Sequence, residues 1–175
     1  MDVGLRAMDN QGMGPETVRI RRAGTEDLPG ILRLQLQSYG TSLQEPASLF
    51  EKIIGASPDT CFTAEHEGVM AGYLLAHRIP DDFKSFGKGP PPLSGSETAL
   101  YLHDMCVNPA LRNKGVGRLL FDALNAYLES KEFTKITAIA VQDSEEFWKK
   151  CGFEIDVPYT YPGGAVGHII TKIYI

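Results

Sequence analysis

The chain has 175 residues, of which 43 % are hydrophobic and 22 % are charged, and its formal net charge is −5 at pH 7. This length suits a single globular domain with one sizeable hydrophobic core. An acidic chain lacks the basic surface that nucleic-acid-binding proteins present, and no apolar run approaches the roughly 20 residues that a membrane-spanning helix needs.

The N-terminal segment, Met1 to Pro15, is rich in glycine, methionine and polar residues, so it is predicted to be a flexible tail. Alternation of apolar and polar residues predicts a strand over Thr17 to Arg22. Thr25 is then expected to cap a helix, because acidic residues follow it in the first turn and favour the helix dipole. A second, shorter helix is predicted over Glu45 to Gly55.

The middle of the chain contains a predicted hairpin, with strands over Asp59 to Glu65 and Val69 to His77. Residues Ile79 to Ser96 hold several prolines and glycines and are predicted to be an irregular loop. The later predicted elements are a strand over Ala99 to Val107, a helix over Gly115 to Lys131, a strand over Lys135 to Val141, a helix over Ser144 to Lys150, and strands over Phe153 to Val157 and Gly167 to Ile175. This order indicates the α/β class, with one mixed sheet and helices on both of its faces.

The most informative motif lies between a predicted strand and the longest amphipathic helix. Unpaired N–H groups and the helix dipole make such a helix N-terminus an anion site that suits pyrophosphate. Gly115 and Gly117 allow close approach to the backbone, and basic residues flank them. A tight turn into a helix explains the two glycines equally well. The Walker pattern and the third glycine of GxGxxG are absent, which argues against those nucleotide-binding motifs. The motif reads Arg112, Asn113, Lys114, Gly115, Val116, Gly117, Arg118.

Val107-Asn108-Pro109, followed by Leu111 to Leu120, resembles the acetyl-CoA signature of the GNAT N-acetyltransferase superfamily. That signature is [Q/R]xxGx[G/A] after a strand that ends in valine and a turn that contains proline. Downstream, Phe147 to Phe153 resembles the second signature, an aromatic pair leading to a Gly-Phe step. The resemblance implies a single GNAT domain over residues 16–175. Its expected fold is a splayed mixed sheet of about six to seven strands flanked by helices.

The resemblance also implies an enzyme that uses acetyl-CoA as co-substrate, without a metal, and transfers the acetyl group to a primary amine by direct attack on the thioester. The backbone near the end of the strand would pair with the pantetheine arm, and the glycine motif would hold the pyrophosphate. The implied cofactor-binding residues are Met105, Cys106, Val107, Arg112, Asn113, Lys114, Gly115, Val116, Gly117, Arg118, Ser144 and Trp148.

Candidate catalytic residues lie on the strand before the motif, where a period of two puts Tyr101, His103, Met105 and Val107 on one face. In related members the base or its water relay comes from these positions. Histidine titrates near neutral pH, so His103 is predicted to be the base, with Tyr101 beside it. A packed core histidine is the alternative. Asp104 is expected on the opposite face unless a bulge intervenes, in a structural role such as orienting a neighbour.

The second signature departs from the family at Trp148, where many members carry a tyrosine as general acid. An indole only donates a hydrogen bond and cannot protonate a thiolate at neutral pH. The thiolate then leaves unassisted, or the proton comes from Tyr159, Tyr161, Ser144 or a water molecule. Tyr159 and Tyr161, predicted on a loop before the last strand, are expected to bind the acceptor. A rigid surface turn is the alternative for that loop.

Several functional questions stay open at this point. A small-molecule amine, bound in a pocket built by the loop Ile79 to Ser96, is favoured over a protein amine. A non-catalytic acyl-CoA-binding or regulatory domain, and an acyltransferase using another acyl-CoA or a hydroxyl acceptor, remain alternatives. No nucleic-acid or membrane partner is expected, and the oligomeric state is open, with a homodimer as one option. Cys61, Cys106 and Cys151 match no zinc pattern, which indicates buried thiols in a reducing, cytoplasmic compartment.

Overall fold

The computed structural model describes residues 18–174, so the predicted tail lies outside the described residues. Seven strands form one sheet. They are β1 (Arg19–Arg22), β2 (Phe62–His66), β3 (Val69–Ile79), β4 (Ala99–Val107), β5 (Lys135–Ala140), β6 (Glu154–Thr160) and β7 (Val166–Ile173). The helices are α1 (Leu28–Ser38), α2 (Ala47–Ala56), α3 (Val116–Glu129) and α4 (Glu145–Lys150). The sheet order is β1-β2-β3-β4-β5-β7-β6, and only the β4–β5 pair is parallel. The predicted mixed sheet flanked by helices is therefore confirmed.

Each face of the sheet carries its own hydrophobic cluster. Neighbouring residues of β3 point to opposite sides, so Tyr73 packs with α1 and α2 while Leu74 packs with α3. The cluster under α1 and α2 includes Ile31, Leu34, Phe50 and Ile53. The cluster under α3 and α4 includes Leu120, Phe121, Leu124 and Trp148. Burial on both faces fixes the position of α1 and α3 relative to β4.

The starts of the first two helices differ from the predictions. Thr25 does not cap α1. It begins a 3-10 turn, and the Asp27 carboxylate instead accepts the Gly24 N–H at 2.9 Å. The second helix begins at Ala47 rather than at Glu45. The proline at position 46 disfavours helical backbone in the residue before it, so Glu45 remains in the connection between the helices.

The prediction that one face of β4 carries Tyr101, His103, Met105 and Val107 is wrong, because β4 contains a β-bulge. Leu102 is paired with Ala76 and Asp104 with Leu75, so His103 is an extra residue in β4. One extra residue reverses the alternation of side chains along a strand. Met105 and Val107 consequently pack toward α3, on the opposite side from Tyr101. Asp104 and Cys106 join the side that faces α1 and α2.

The sheet splits between its two parallel strands. Pairing of β4 with β5 ends at Leu102 and Ala138, while β4 continues to Val107 without β5 beside it. On its other edge β5 stays paired with β7 as far as Ala140. Tyr159, predicted on a loop, lies within β6, so that part of the prediction is wrong. The residues between β3 and β4 form no helix or strand, as predicted.

Close packing of β3 against β4 and α3 needs a residue without a side chain at Gly72. A methyl group there would lie 2.8 Å from the Cys106 carbonyl oxygen and 3.0 Å from Leu120 Cδ1. We therefore expect Gly72→Ala to lower the free energy of unfolding by about 1–3 kcal/mol, measured by urea denaturation. Gly55→Ala is the matched control, because nothing lies within 4 Å of a methyl group on this helical residue. The control should raise stability by up to about 1 kcal/mol. Equal stability of the two variants would contradict this account of the packing.

Candidate active site

The split in the sheet opens into a cleft of about 770 Å³. Its walls are the C-terminal part of β4, the N-terminus of α3, the connection after β5 and the segment between α1 and α2. Two of the residues predicted for the site, Lys114 and Tyr159, do not line this cleft. The predicted residues that line it are Tyr101, His103, Met105, Cys106, Val107, Arg112, Asn113, Gly115, Val116, Gly117, Arg118, Ser144, Trp148 and Tyr161.

The N-terminus of α3 is shaped by a glycine in the left-handed conformation. Gly115, the residue before the helix, has φ +86°, which glycine adopts without steric cost. A methyl group on Gly117 would lie 3.5 Å from both Phe147 and Val107 and would project into the cleft. The first-turn N–H groups have no carbonyl partner within the helix. This narrow, positively polarised end of the cleft fits a pyrophosphate group.

Basic side chains around this helix end are already partly engaged. Arg118 donates to Asp122 at 2.7 Å and to the Lys150 carbonyl at 3.2 Å. Its guanidinium is therefore anchored along α3 rather than extended over the helix N-terminus. Arg112 and Lys114 are exposed, and Arg112 lines the cleft.

His103 forms a hydrogen-bonded pair with Glu45. The distance from His103 Nε2 to Glu45 Oε2 is 2.8 Å. The His103 side chain is 1 % exposed, whereas that of Glu45 is 22 % exposed and lines the cleft. An ionised carboxylate only accepts hydrogen bonds, so Nε2 carries the shared proton. The second ring nitrogen, Nδ1, is buried and has no hydrogen-bond partner among the described residues.

Gln35 holds the backbone of Glu45 with two hydrogen bonds. The Glu45 N–H donates to Gln35 Oε1 at 2.6 Å, and Gln35 Nε2 donates to the Glu45 carbonyl at 2.9 Å. Gln35 lies on α1 and is 3 % exposed. Glu45 itself belongs to no helix or strand, so this pair of bonds supplies the order that regular structure would otherwise give. Sequence reasoning missed both residues, because nothing local to either one indicates that they meet.

The bulge also brings Asp104 to the cleft, contrary to its expected position on the opposite face. Its carboxylate accepts hydrogen bonds from Tyr73 at 2.6 Å and from Tyr39 at 2.8 Å. The Tyr39 hydroxyl also lies 2.9 Å from the Met105 carbonyl oxygen. Burial raises the pKa of Asp104 to about 6, although the hydrogen bonds from the two tyrosines favour the ionised form.

Aromatic side chains fill the space beside Tyr101. Phe83 and Phe86, from the long loop between β3 and β4, have ring centroids 5.9 and 5.2 Å from that of Tyr101. The Tyr159 hydroxyl donates to the Phe86 carbonyl at 3.3 Å, and its ring packs 5.0 Å from Tyr161. The loop therefore anchors this wall through its phenylalanines. Burial raises the pKa of Tyr101 well above its usual value, so this hydroxyl keeps its proton at neutral pH.

Trp148 packs in the core behind the cleft and reaches its lining. It is 5 % exposed, with ring centroids 6.0 Å from Phe121, 4.9 Å from Phe147 and 5.2 Å from Phe153. Just before α4, Gln142 donates a hydrogen bond to the Ser38 carbonyl at 3.1 Å. This bond joins the connection after β5 to the end of α1.

Three further observations concern metals, cysteines and membranes. Among residues 18–174, no group of three or more His, Cys, Asp and Glu side chains is arranged to share a metal ion. Cys61, Cys106 and Cys151 are buried free thiols, as predicted. Within the same described range, no helix is long and apolar enough to cross a bilayer.

Comparison with known proteins places these features in context. A family profile described as "Acetyltransferase (GNAT) family" matches residues 28–153. GCN5-related N-acetyltransferase 3, chloroplastic, from Arabidopsis thaliana is 34 % identical over 55 residues, a match that covers 31 % of this chain and 23 % of that protein. The match therefore spans about a quarter of the length of this curated relative.

Two solved structures share the fold at low sequence identity. The loading GNATL domain of CurA from Lyngbya majuscula has a TM-score of 0.78 and 18 % identity, with 90 % of this chain and 98 % of that chain covered. Naa50 from Arabidopsis thaliana, in complex with the bisubstrate analogue CoA-Ac-MVNAL, has a TM-score of 0.71 and 15 % identity, with 90 % and 99 % covered. At such identities these likenesses establish the fold alone.

The buried Asp104 carboxyl generates a prediction about stability and pH. Because its folded pKa, about 6, lies above the ordinary value of 3.8, the folded state binds the proton more tightly than the unfolded state. Wild-type stability should therefore fall as pH rises from about 4 to about 6, and Asp104→Asn should remove this loss. Relative to wild type, the variant should gain up to about 3 kcal/mol between pH 4 and pH 7 in urea unfolding.

Asp156→Asn is the matched control, because Asp156 is exposed on β6. Its stability difference from wild type should stay constant over the same pH range. A constant difference for Asp104→Asn as well would show that burial does not raise the pKa of Asp104.

Proposed function

The chain belongs to the acetyltransferase (GNAT) family, and on that premise we propose that it transfers the acetyl group of acetyl-CoA to a primary amine. One observation carries the proposal: a single cleft joins the N-terminus of α3, which includes Gly117, to the carboxylate–imidazole pair of Glu45 and His103. An anion site and a proton-accepting group are the two features that this reaction requires of the protein.

The proposed coenzyme site runs along the split in the sheet. Backbone N–H groups from Asn113 to Arg118 would hold the pyrophosphate at the start of α3. The β5-facing edge of β4 from Met105 to Val107 has no neighbouring strand, which supports pairing with the amide groups of a pantetheine arm. Ser144 and Trp148 line the facing wall and are proposed as further contacts.

The proposed reacting end lies at the bulge. Bound acetyl-CoA would supply a thioester carbonyl for the amine to attack and a thiolate as the leaving group. The hydrogen-bonded pair of His103 and Glu45 is the proposed centre of proton removal from the ammonium form of the amine. Tyr101 keeps its proton at neutral pH, so its proposed role is to donate a hydrogen bond rather than to act as base.

The proposed acceptor is a small-molecule amine. Tyr161 lines the cleft, and Tyr159 supports it from behind through their ring contact. The long loop contributes Gly87 to the cleft lining, while its phenylalanines close the neighbouring space against Tyr101. A peptide amine is the competing acceptor class, because Naa50 was solved with a bisubstrate analogue of the form CoA-Ac-MVNAL.

The first experiment is calorimetric titration of acetyl-CoA, with coenzyme A and a dephosphorylated pantetheine analogue as comparison ligands. We expect binding that requires the pyrophosphate. Gly117→Glu should weaken it about 100-fold or more, because a carboxylate would occupy the anion site. Gly55→Glu adds the same charge to α2, where nothing lies within 4 Å, and should leave binding unchanged.

A screen for product follows, using small primary amines and a peptide with a free N-terminus. Turnover with an amine supports the proposal, and the better acceptor class identifies the substrate. Binding without turnover across the panel would favour the non-catalytic acyl-CoA-binding alternative. Turnover only with malonyl-CoA or succinyl-CoA would favour an acyltransferase for another acyl group. No binding of any acyl-CoA would refute the coenzyme site itself.

A further inference from the structure

We propose that Glu45 is the catalytic base that takes the proton from the acceptor ammonium, that His103 orients Glu45, and that Gln35 is a positioning residue for Glu45. This inference deepens the proposed function and rests on it. It assigns the step of proton removal to a residue outside the sheet, on the connection between α1 and α2.

Access distinguishes the two members of the pair. The imidazole of His103 is enclosed by Tyr101, His77 and Phe50, with ring centroids 5.5, 5.9 and 6.5 Å away. Its Nε2 is occupied by the carboxylate, and its Nδ1 is buried. Neither ring nitrogen is open to a ligand in the cleft. The partly exposed carboxylate of Glu45 is open to such a ligand, because His103 holds only one of its two oxygens.

The direction of the hydrogen bond gives the two residues different tasks. His103 donates its Nε2 proton to Glu45 Oε2, so that nitrogen has no lone pair with which to accept another proton. Donation to Oε2 holds the Glu45 carboxylate in one orientation. Oε1 is then the atom that accepts a proton, as a general base must, and His103 acts through the carboxylate.

The transfer step balances with Glu45 as the only protein base. An N–H bond of the ammonium breaks, an O–H bond forms on Glu45, and the freed electron pair of nitrogen forms the new bond to the thioester carbonyl carbon. The C–S bond breaks with its electron pair on sulfur, and the second proton that nitrogen gives up passes to that sulfur. Glu45 then releases its proton to solvent before the next turnover, so the net reaction releases one proton.

Gln35 makes this geometry possible, because it fixes both the N–H and the C=O of Glu45 from a buried position on α1. Without these bonds, a residue outside regular structure would sample more than one backbone conformation. A carboxylate displaced by about 1 Å from its productive position is a much less effective base. Gln35 is therefore expected to influence turnover although it does not line the cleft.

The decisive experiment compares Glu45→Gln with wild type on two amines. The first is the best acceptor of the amine panel. The second is its analogue with a trifluoromethyl group on the amine-bearing carbon, which lowers the ammonium pKa enough to make this amine neutral at pH 7.5. Glu45→Gln should lower kcat about 10²- to 10⁴-fold with the first amine and less than about tenfold with the second, because a neutral amine needs no base. The affinity for acetyl-CoA, measured by calorimetry, should stay within about twofold of wild type.

Two further variants complete the series. Glu45→Asp retains a carboxylate and should recover part of the lost activity. Glu51→Gln, on the exposed side of α2, removes the same charge away from the cleft and should behave as wild type. Full activity of Glu45→Gln on the first amine, or equal losses on both amines, would overturn the role of Glu45 as base. Wild-type binding of acetyl-CoA without turnover would instead refute the proposed function, and this inference with it.

The role of Gln35 has a readout that needs no ligand. In ¹⁵N spectra of the free protein, the imidazole of His103 should be a single Nε2–H tautomer in wild type and a mixture of tautomers in Gln35→Leu. The same variant should lower kcat about tenfold or more at unchanged acetyl-CoA affinity. If Gln35→Leu fails to fold, Gln35→Glu takes its place. This variant keeps the acceptor for the Glu45 N–H and should show a smaller effect on both measurements. An unchanged tautomer and kcat in the folded variant would overturn the positioning role.

Discussion

At His103, β4 contains one residue more than the strand β3 opposite it, and the cleft depends on that insertion. The bulge reverses the alternation, so Asp104 and Cys106 turn toward α1 and α2 while Met105 and Val107 turn toward α3. It also coincides with the point where pairing to β5 ends. A regular strand would instead direct Asp104 toward the hydrophobic cluster under α3.

The bulge is held by polar contacts from elements that are distant in the sequence. Tyr39, directly after α1, and Tyr73 on β3 donate to Asp104, and Glu45 accepts from His103. A buried carboxyl is costly unless it is hydrogen-bonded, and here the two tyrosine hydroxyls reduce that cost. These contacts form a polar layer between the hydrophobic cluster of the two N-terminal helices and the cleft. The same layer therefore connects the first helices of the chain to the opening in the sheet.

Local patterns in the sequence predict the elements and most of the cleft-lining residues, but not which side chains pair at the bulge. The bounds of β4 agree with the prediction, and α3 begins one residue after its predicted start. Both follow from local signals, namely the periodicity of apolar residues and the glycines at the ends of elements. The faces of β4 were mispredicted beyond Leu102, since a bulge leaves no mark in the apolar pattern. The pairing of Glu45 with His103 spans 58 residues, and that of Gln142 with Ser38 spans 104. Such contacts follow from the packing of α1 and α2 on the sheet, and the sequence near each residue does not indicate them.

The packing of Trp148 has a consequence for observing this protein in solution. It is the single tryptophan of the chain, buried against Phe121 and Phe153 and reaching the lining of the cleft. All tryptophan fluorescence therefore originates from one indole that lies at the boundary between core and cleft. Its emission maximum reports whether the cluster under α4 is intact, and its accessibility to a quencher reports on the cleft. The fold thus contains its own optical probe at the position where a coenzyme would bind.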